Sequence, residues 1–107
     1  MVINFKKIDH IIIRLFNKPL CEQPKAILDV GCGGGTFLKH IYNIIIEKTL
    51  RGKNIKDYPL GVIGVDINKA ARIASRKNLN SANIENIILN GSINNPSEIN
   101  KTLIDQF

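Results

Sequence analysis

The chain has 107 residues, enough for one domain with a modest core. With 44% hydrophobic and 22% charged residues it has the composition of an ordinary globular domain, and no apolar run approaches the ~20 residues of a membrane span. A net charge of +6 raises nucleic acid as a partner, but the basic residues are scattered and aromatic side chains are few, so a solvated basic surface is the plainer reading.

At the N-terminus, Lys6, Lys7 and Asp9 precede the apolar run Ile11–Ile13, which Arg14 cuts short; no small-residue cleavage site follows. This is not the pattern of a signal peptide, and a cytoplasmic location is the default expectation. Phe5, Ile8, Ile12, Leu15 and Phe16 recur at helical spacing and predict a helix over Phe5–Asn17, closed by Pro19 and Pro24. Residues 1–25 thus read as an N-terminal helix and linker, and 26–107 as the main unit. Ala26–Val30 has the short apolar form of a strand buried on both faces, and Gly31, Gly33 and Gly35 follow at alternate positions. The next helix, Phe37–Leu50, turns Phe37, Leu38, Ile41, Ile44, Ile45 and Leu50 toward a sheet. Arg51–Pro59 is polar and rich in breakers, and reads as an exposed loop within the densest basic cluster, Lys48, Arg51, Lys53 and Lys56. A second strand, Gly61–Val65, ends at Asp66. Asn68 then caps a helix over Lys69–Leu79 with apolar contacts from Ala70, Ala71, Ile73 and Ala74. A third strand, Ile84–Leu89, leaves through Asn90–Gly91, and Asn95 with Pro96 opens a last helix to Gln106. A helix followed by three strand–helix units implies a parallel sheet.

The glycine-rich turn carries the chemistry. Its glycines let the main chain bend sharply and lie against a ligand, and the helix behind it points free N–H groups into the same crevice. The dinucleotide fingerprint G-x-G-x-x-G requires glycine where this chain has Thr36, which disfavours a nicotinamide dehydrogenase half. Asp29 precedes the turn; its charge would repel a pyrophosphate and attract an amino-acid ammonium. Asp66, at the end of the second strand, is placed to accept hydrogen bonds from two ribose hydroxyls. It lies 31 residues after Gly35 rather than the usual ~20, with the polar segment Arg51–Pro59 as the surplus. Cys32 occupies a variable position of the turn and reads as a small buried filler; with Cys21 it makes neither a disulfide framework nor a metal site. His10 and His40 fall on helices away from the strand ends, and Tyr42 and Tyr58 have no discriminating context.

The pattern Asp29-x-Gly31-x-Gly33-x-Gly35 resembles the first motif of class I S-adenosylmethionine-dependent methyltransferases, over about Ala26–Phe107. The resemblance implies an α/β, Rossmann-like methyltransferase fold truncated to about three parallel strands with flanking helices. It implies S-adenosyl-L-methionine as cofactor, with Asp29, Gly31, Cys32, Gly33 and Gly35 around its methionine part. Asp66 then takes the ribose, Ile67 one face of the adenine, and Ser92 stands where the family commonly has an Asp for the adenine amino group. A neutral hydroxyl there gives a weaker contact, and Ser92 as a plain turn residue is the equal alternative; Ile93 reads as core. Leu50–Asp66 is similar to C-methyltransferase domains of modular polyketide synthases, which implies a carrier-bound acyl substrate, with a small molecule as the broader class. The family's fourth strand and its substrate-handling segments have no counterpart before Phe107, which implies a cofactor-binding half, a complementing C-terminal half as partner, and no assignable catalytic residue. The rival reading is a non-catalytic methyltransferase-like module that docks a partner or nucleic acid through a basic face.

Overall fold

A computed structural model describes residues 6–106 of the chain. Three parallel strands, β1 (Ala26–Val30), β2 (Gly61–Val65) and β3 (Ile87–Leu89), form one sheet in the order β1-β2-β3. Ala26 pairs with Gly61 and Val30 with Val65, while Ile63 pairs with Ile87. This register brings the carboxyl ends of the strands together, at Val30, Val65 and Leu89, and so sets the glycine turn beside the end of β2.

Five α-helices surround the sheet: α1 (Lys6–Leu15), α2 (Thr36–Lys48), α3 (Leu50–Lys53), α4 (Lys69–Ser81) and α5 (Pro96–Gln106). Alternation along β2 decides which side chains meet which helices. Val62 packs with Leu38 of α2, Leu79 of α4, Ile84, Ile88 and Cys32 in one cluster. Phe16, Ile41, Ile45 and Leu60 form a second cluster, against which Ile8, Ile12 and Leu15 of α1 pack. Gly64 must lack a side chain, because a Cβ there would stand 2.8 Å from Cys32 Sγ and 2.9 Å from Ile88 Cδ1. The caps form as their residues predict: Asn68 Oδ1 accepts from the Ala71 N–H at 3.1 Å, and Asn95 Oδ1 from the Glu98 N–H at 3.4 Å.

Several expectations are corrected. β1 is not buried on both faces: it is an edge strand, and Leu28 is 47% exposed. Arg51–Pro59 is not a simple exposed loop. It begins within α3, and the Arg51 side chain is buried. Its Nε donates to Tyr58 O (2.7 Å), Nη1 to Pro24 O (2.7 Å) and Gln23 Oε1 (3.2 Å), and Nη2 to Pro59 O (2.9 Å), with Phe16 stacked beneath. One guanidinium therefore ties the segment to the linker after α1. Leu50, placed on the sheet side of the long helix, starts α3 and is exposed instead. On α4, Ala70 and Ile73 are exposed, and the buried positions are Ser75 and Leu79. β3 is shorter than Ile84–Leu89, and Ile93 is exposed rather than core. Phe5 and Phe107, bounds of the predicted first helix and of the main unit, lie outside the described residues. No helix among the described residues is long and apolar enough to cross a membrane.

Candidate cofactor site

The site is built at the carboxyl ends of β1 and β2. Gly31, Gly33 and Gly35 all adopt positive φ (+83°, +54° and +82°), a region in which an L side chain clashes with its own backbone. Their surroundings separate their roles. A Cβ on Gly31 or Gly33 would meet nothing within 4 Å, so the main chain there is open to a ligand. A Cβ on Gly35 would stand 3.2 Å from Ser75 Oγ and 3.3 Å from Ser75 Cα, so this glycine serves the close approach of α4.

Backbone hydrogen bonds clamp the turn to β2: the Gly31 and Cys32 N–H groups both donate to Val65 O, at 2.7 and 3.0 Å. Cys32 is buried in the core, with its Sγ 3.4 Å from Ser75 Oγ, as expected of a filler. The ends of β2 and β3 are linked by the Asp66 N–H donating to Leu89 O at 3.0 Å.

Asp66 stands between the turn and α4. Its Oδ1 accepts from the Asn68 N–H at 2.9 Å and its Oδ2 from the Gly33 N–H at 3.0 Å. These two N–H donors, and more weakly the positive charge of Arg72, hold the carboxyl below the usual carboxylate range. Each carboxylate oxygen keeps a second lone pair for a further donor. Asp29, half-buried at the end of β1, behaves oppositely. Burial, and secondarily the negative charge of Asp66, pushes its carboxyl above the usual range. The two carboxyls thus interact electrostatically and have opposite protonation tendencies.

Ile67, next to Asp66, is 67% exposed, an apolar side chain open to solvent beside the strand ends. Ser92 is half-buried, and its Oγ accepts from the Asn94 N–H at 3.1 Å while its C=O accepts from Asn95, so it is engaged as a turn residue. His40 pairs with Asp9 at 2.7 Å between α2 and α1, and His10 is exposed on α1, both remote from the strand ends. Among the described residues no cluster of three or more His, Cys, Asp or Glu is placed to hold a metal ion.

Three residues of α4 reach the site unannounced by the apolar pattern: Arg72, Ser75 and Asn78. Their spacing of three was the available signal, because it sets polar side chains along one side of a helix.

Comparison with known proteins decides the family. A family model described as the AprA MT2-like domain, a methyltransferase family, matches residues 3–106. The chain belongs to that family. AprA MT2-like membership and the three-stranded parallel sheet make this a class I methyltransferase-type fold, as the glycine motif implied. Among solved structures, PKMT2 from Rickettsia typhi is similar at 28% identity, over 79% of this chain and 15% of that chain, with a TM-score of 0.48. PKMT2 in complex with AdoHcy is similar at 27% identity, over 77% and 14% respectively, with a TM-score of 0.44. The chain thus spans about one seventh of the length of those solved chains. No curated protein sequence matches it.

Proposed function

We propose that this AprA MT2-like domain binds S-adenosylmethionine at the carboxyl edge of its sheet and supplies the cofactor-binding part of a methyltransferase. One observation carries the reading: two carboxylates, Asp29 and Asp66, end adjacent parallel strands on either side of a glycine turn whose Gly31 and Gly33 face open space. Asp29 offers its charge to the methionine ammonium. Asp66, already anchored by two N–H groups, offers its remaining lone pairs to the ribose hydroxyls. Ile67 supplies an apolar contact to the adenine; Ser92, occupied in its own turn, supplies at most a weak polar one.

When bound, the cofactor contributes an electrophilic sulfonium methyl, so the chain's own task is orientation rather than nucleophilic attack. The acceptor class we favour is a carrier-bound acyl thioester methylated at carbon, on the similarity of Leu50–Asp66 to polyketide C-methyltransferase domains. In this reading a complementing C-terminal half holds the acceptor, and none of the described residues is assigned the proton abstraction. Docking through a basic face has less support, since Arg51, one of four cations in the densest cluster, is buried and bonded to carbonyls.

Titration calorimetry with S-adenosylmethionine and S-adenosylhomocysteine tests the proposal. Saturable binding is expected, and Asp66→Ala should weaken it at least tenfold, the loss of charge-assisted hydrogen bonds to two hydroxyls. A folded chain that binds neither compound overturns the reading.

A further inference from the structure

The N–H groups of Gly31, Cys32 and Gly35 fasten the base of the glycine turn, but they leave the Gly33 and Gly34 carbonyls at its tip to be held from elsewhere. Its three positive-φ glycines have the widest conformational freedom of any residue, and a ligand must otherwise order them itself. The restraint on those two carbonyls comes from α4. Ser75, fully buried, donates from Oγ to Gly33 O at 2.5 Å, and Asn78 donates from Nδ2 to Gly34 O at 2.8 Å. One turn earlier, Arg72 Nη1 donates to Asp66 O at 3.0 Å and to Asn90 Oδ1 at 3.3 Å, bridging the residues that follow β2 and β3. Arg76 Nη2 adds a bond to Ile88 O at 2.9 Å within β3.

Peptide planarity makes the consequence specific. In a trans peptide the C=O and the following N–H point in opposite directions. Tying Gly33 O back to Ser75 therefore turns the Gly34 N–H away from α4. The Gly35 N–H is used internally, donating to Cys32 O at 3.0 Å, and the Gly33 N–H goes to Asp66. The Gly34 N–H has no acceptor among the described residues, so it is the donor the turn leaves for a ligand.

We propose that α4 is the positioning element of the cofactor site, Ser75 and Asn78 aiming the Gly33–Gly34 main chain and Arg72 fixing the strand ends that bear Asp66 and Asn90. The proposal rests on the cofactor reading above. These three are positioning residues: they act through the turn and the carboxylate, and the ligand touches what they hold.

The test uses the full chain with Asn78→Ala, Ser75→Ala, Arg72→Met and Arg72→Lys, and Lys77→Ala as an exposed control on the same helix. Two quantities are read, the affinity for S-adenosylhomocysteine and, without ligand, the hydrogen-exchange rate of the Gly33 amide. Asn78→Ala should weaken binding about fivefold and speed Gly33 exchange by a similar factor, the worth of one neutral hydrogen bond. Its melting temperature should hold or rise, because alanine is the better helix former at an exposed position. A structural loss alone does not combine weaker binding with undiminished stability. Ser75→Ala should do the same to the turn, and Lys77→Ala should do neither. Arg72→Met should move the acid limb of the affinity profile to higher pH by removing a cation from Asp66, and Arg72→Lys should restore it. Wild-type Gly33 exchange in both Asn78→Ala and Ser75→Ala overturns the proposal. If the unmodified chain binds no S-adenosylhomocysteine, the cofactor reading fails separately, and the exchange rates alone still decide the positioning role.

Discussion

Asp29 and Asp66 end neighbouring strands but are driven in opposite directions, and that contrast makes pH a probe of the site. Asp66 is held low by the N–H groups of Asn68 and Gly33, so its ionised form stabilises the fold. That stability is present above the ordinary carboxylate pKa and is lost as pH falls through the depressed one. Asp29 is held high, so the folded chain keeps its proton more tightly than the unfolded chain does. Ionising it costs stability, and the cost grows as pH rises from the ordinary value through the raised one. A ligand ammonium beside Asp29 reverses this preference, and binding then releases a proton in that window. Affinity for S-adenosylhomocysteine should therefore rise with pH across the window and level off above it, while Asp29→Asn should bind more weakly and without the slope. Calorimetry at a series of pH values checks this; a flat wild-type profile would separate Asp29 from the ammonium. Both acids were legible in the sequence, since Asp29 lies near the end of a short apolar strand before the glycines and Asp66 directly follows the next one. Arg51 was not. It opens a polar, breaker-rich segment, and its burial depends on acceptors spread from Gln23 to Pro59 that only the folded chain assembles.

Elements are joined here by a few close contacts, and these respond to substitution in distinguishable ways. Gly35→Ala adds a left-handed alanine and a Cβ about 3.2 Å from Ser75, where α2 begins against α4. The conformational strain alone is about 1–2 kcal/mol, and the contact adds to it, so denaturant unfolding should show a loss of ~2–3 kcal/mol. Gly33→Ala meets open space and should lose only the strain, while impairing cofactor binding more. Arg51→Met should cost ~2–4 kcal/mol by leaving three partly buried carbonyls without their donor, with cofactor affinity in the folded fraction nearly unchanged, because the linker and α3 lie away from the strand ends. Helix starts were readable because Asn68 and Asn95 are local signals. The polar face of α4 was not, since Ser75 and Asn78 find their acceptors only in the glycine turn, 42 and 44 positions earlier.

At the scale of the whole molecule, the sheet has one central, well-covered strand and two edges, β1 and β3. β2 is central and buried through Val65, whereas β1 has β2 on one side only among the described residues. The outer N–H and C=O groups of an edge strand are a template for pairing, and a large apolar side chain beside them strengthens it. Leu28 is that side chain, and Ile12, Phe16 and Phe37 line a groove of about 210 Å³ alongside the strand. Opposing this is the net charge of +6, which repels copies of the chain at low ionic strength and is screened within about 10 Å at 0.1 M salt. Self-association should therefore increase with protein concentration and with salt, the reverse of an assembly held by ion pairs. Leu28→Lys places a charge on the edge and removes the apolar side chain, the device natural edge strands use against such pairing. Sedimentation velocity across a salt series should show the variant monomeric where the wild-type chain associates, with helical content unchanged by circular dichroism. If the two sediment alike at every salt concentration, association does not run through the Leu28 face of β1.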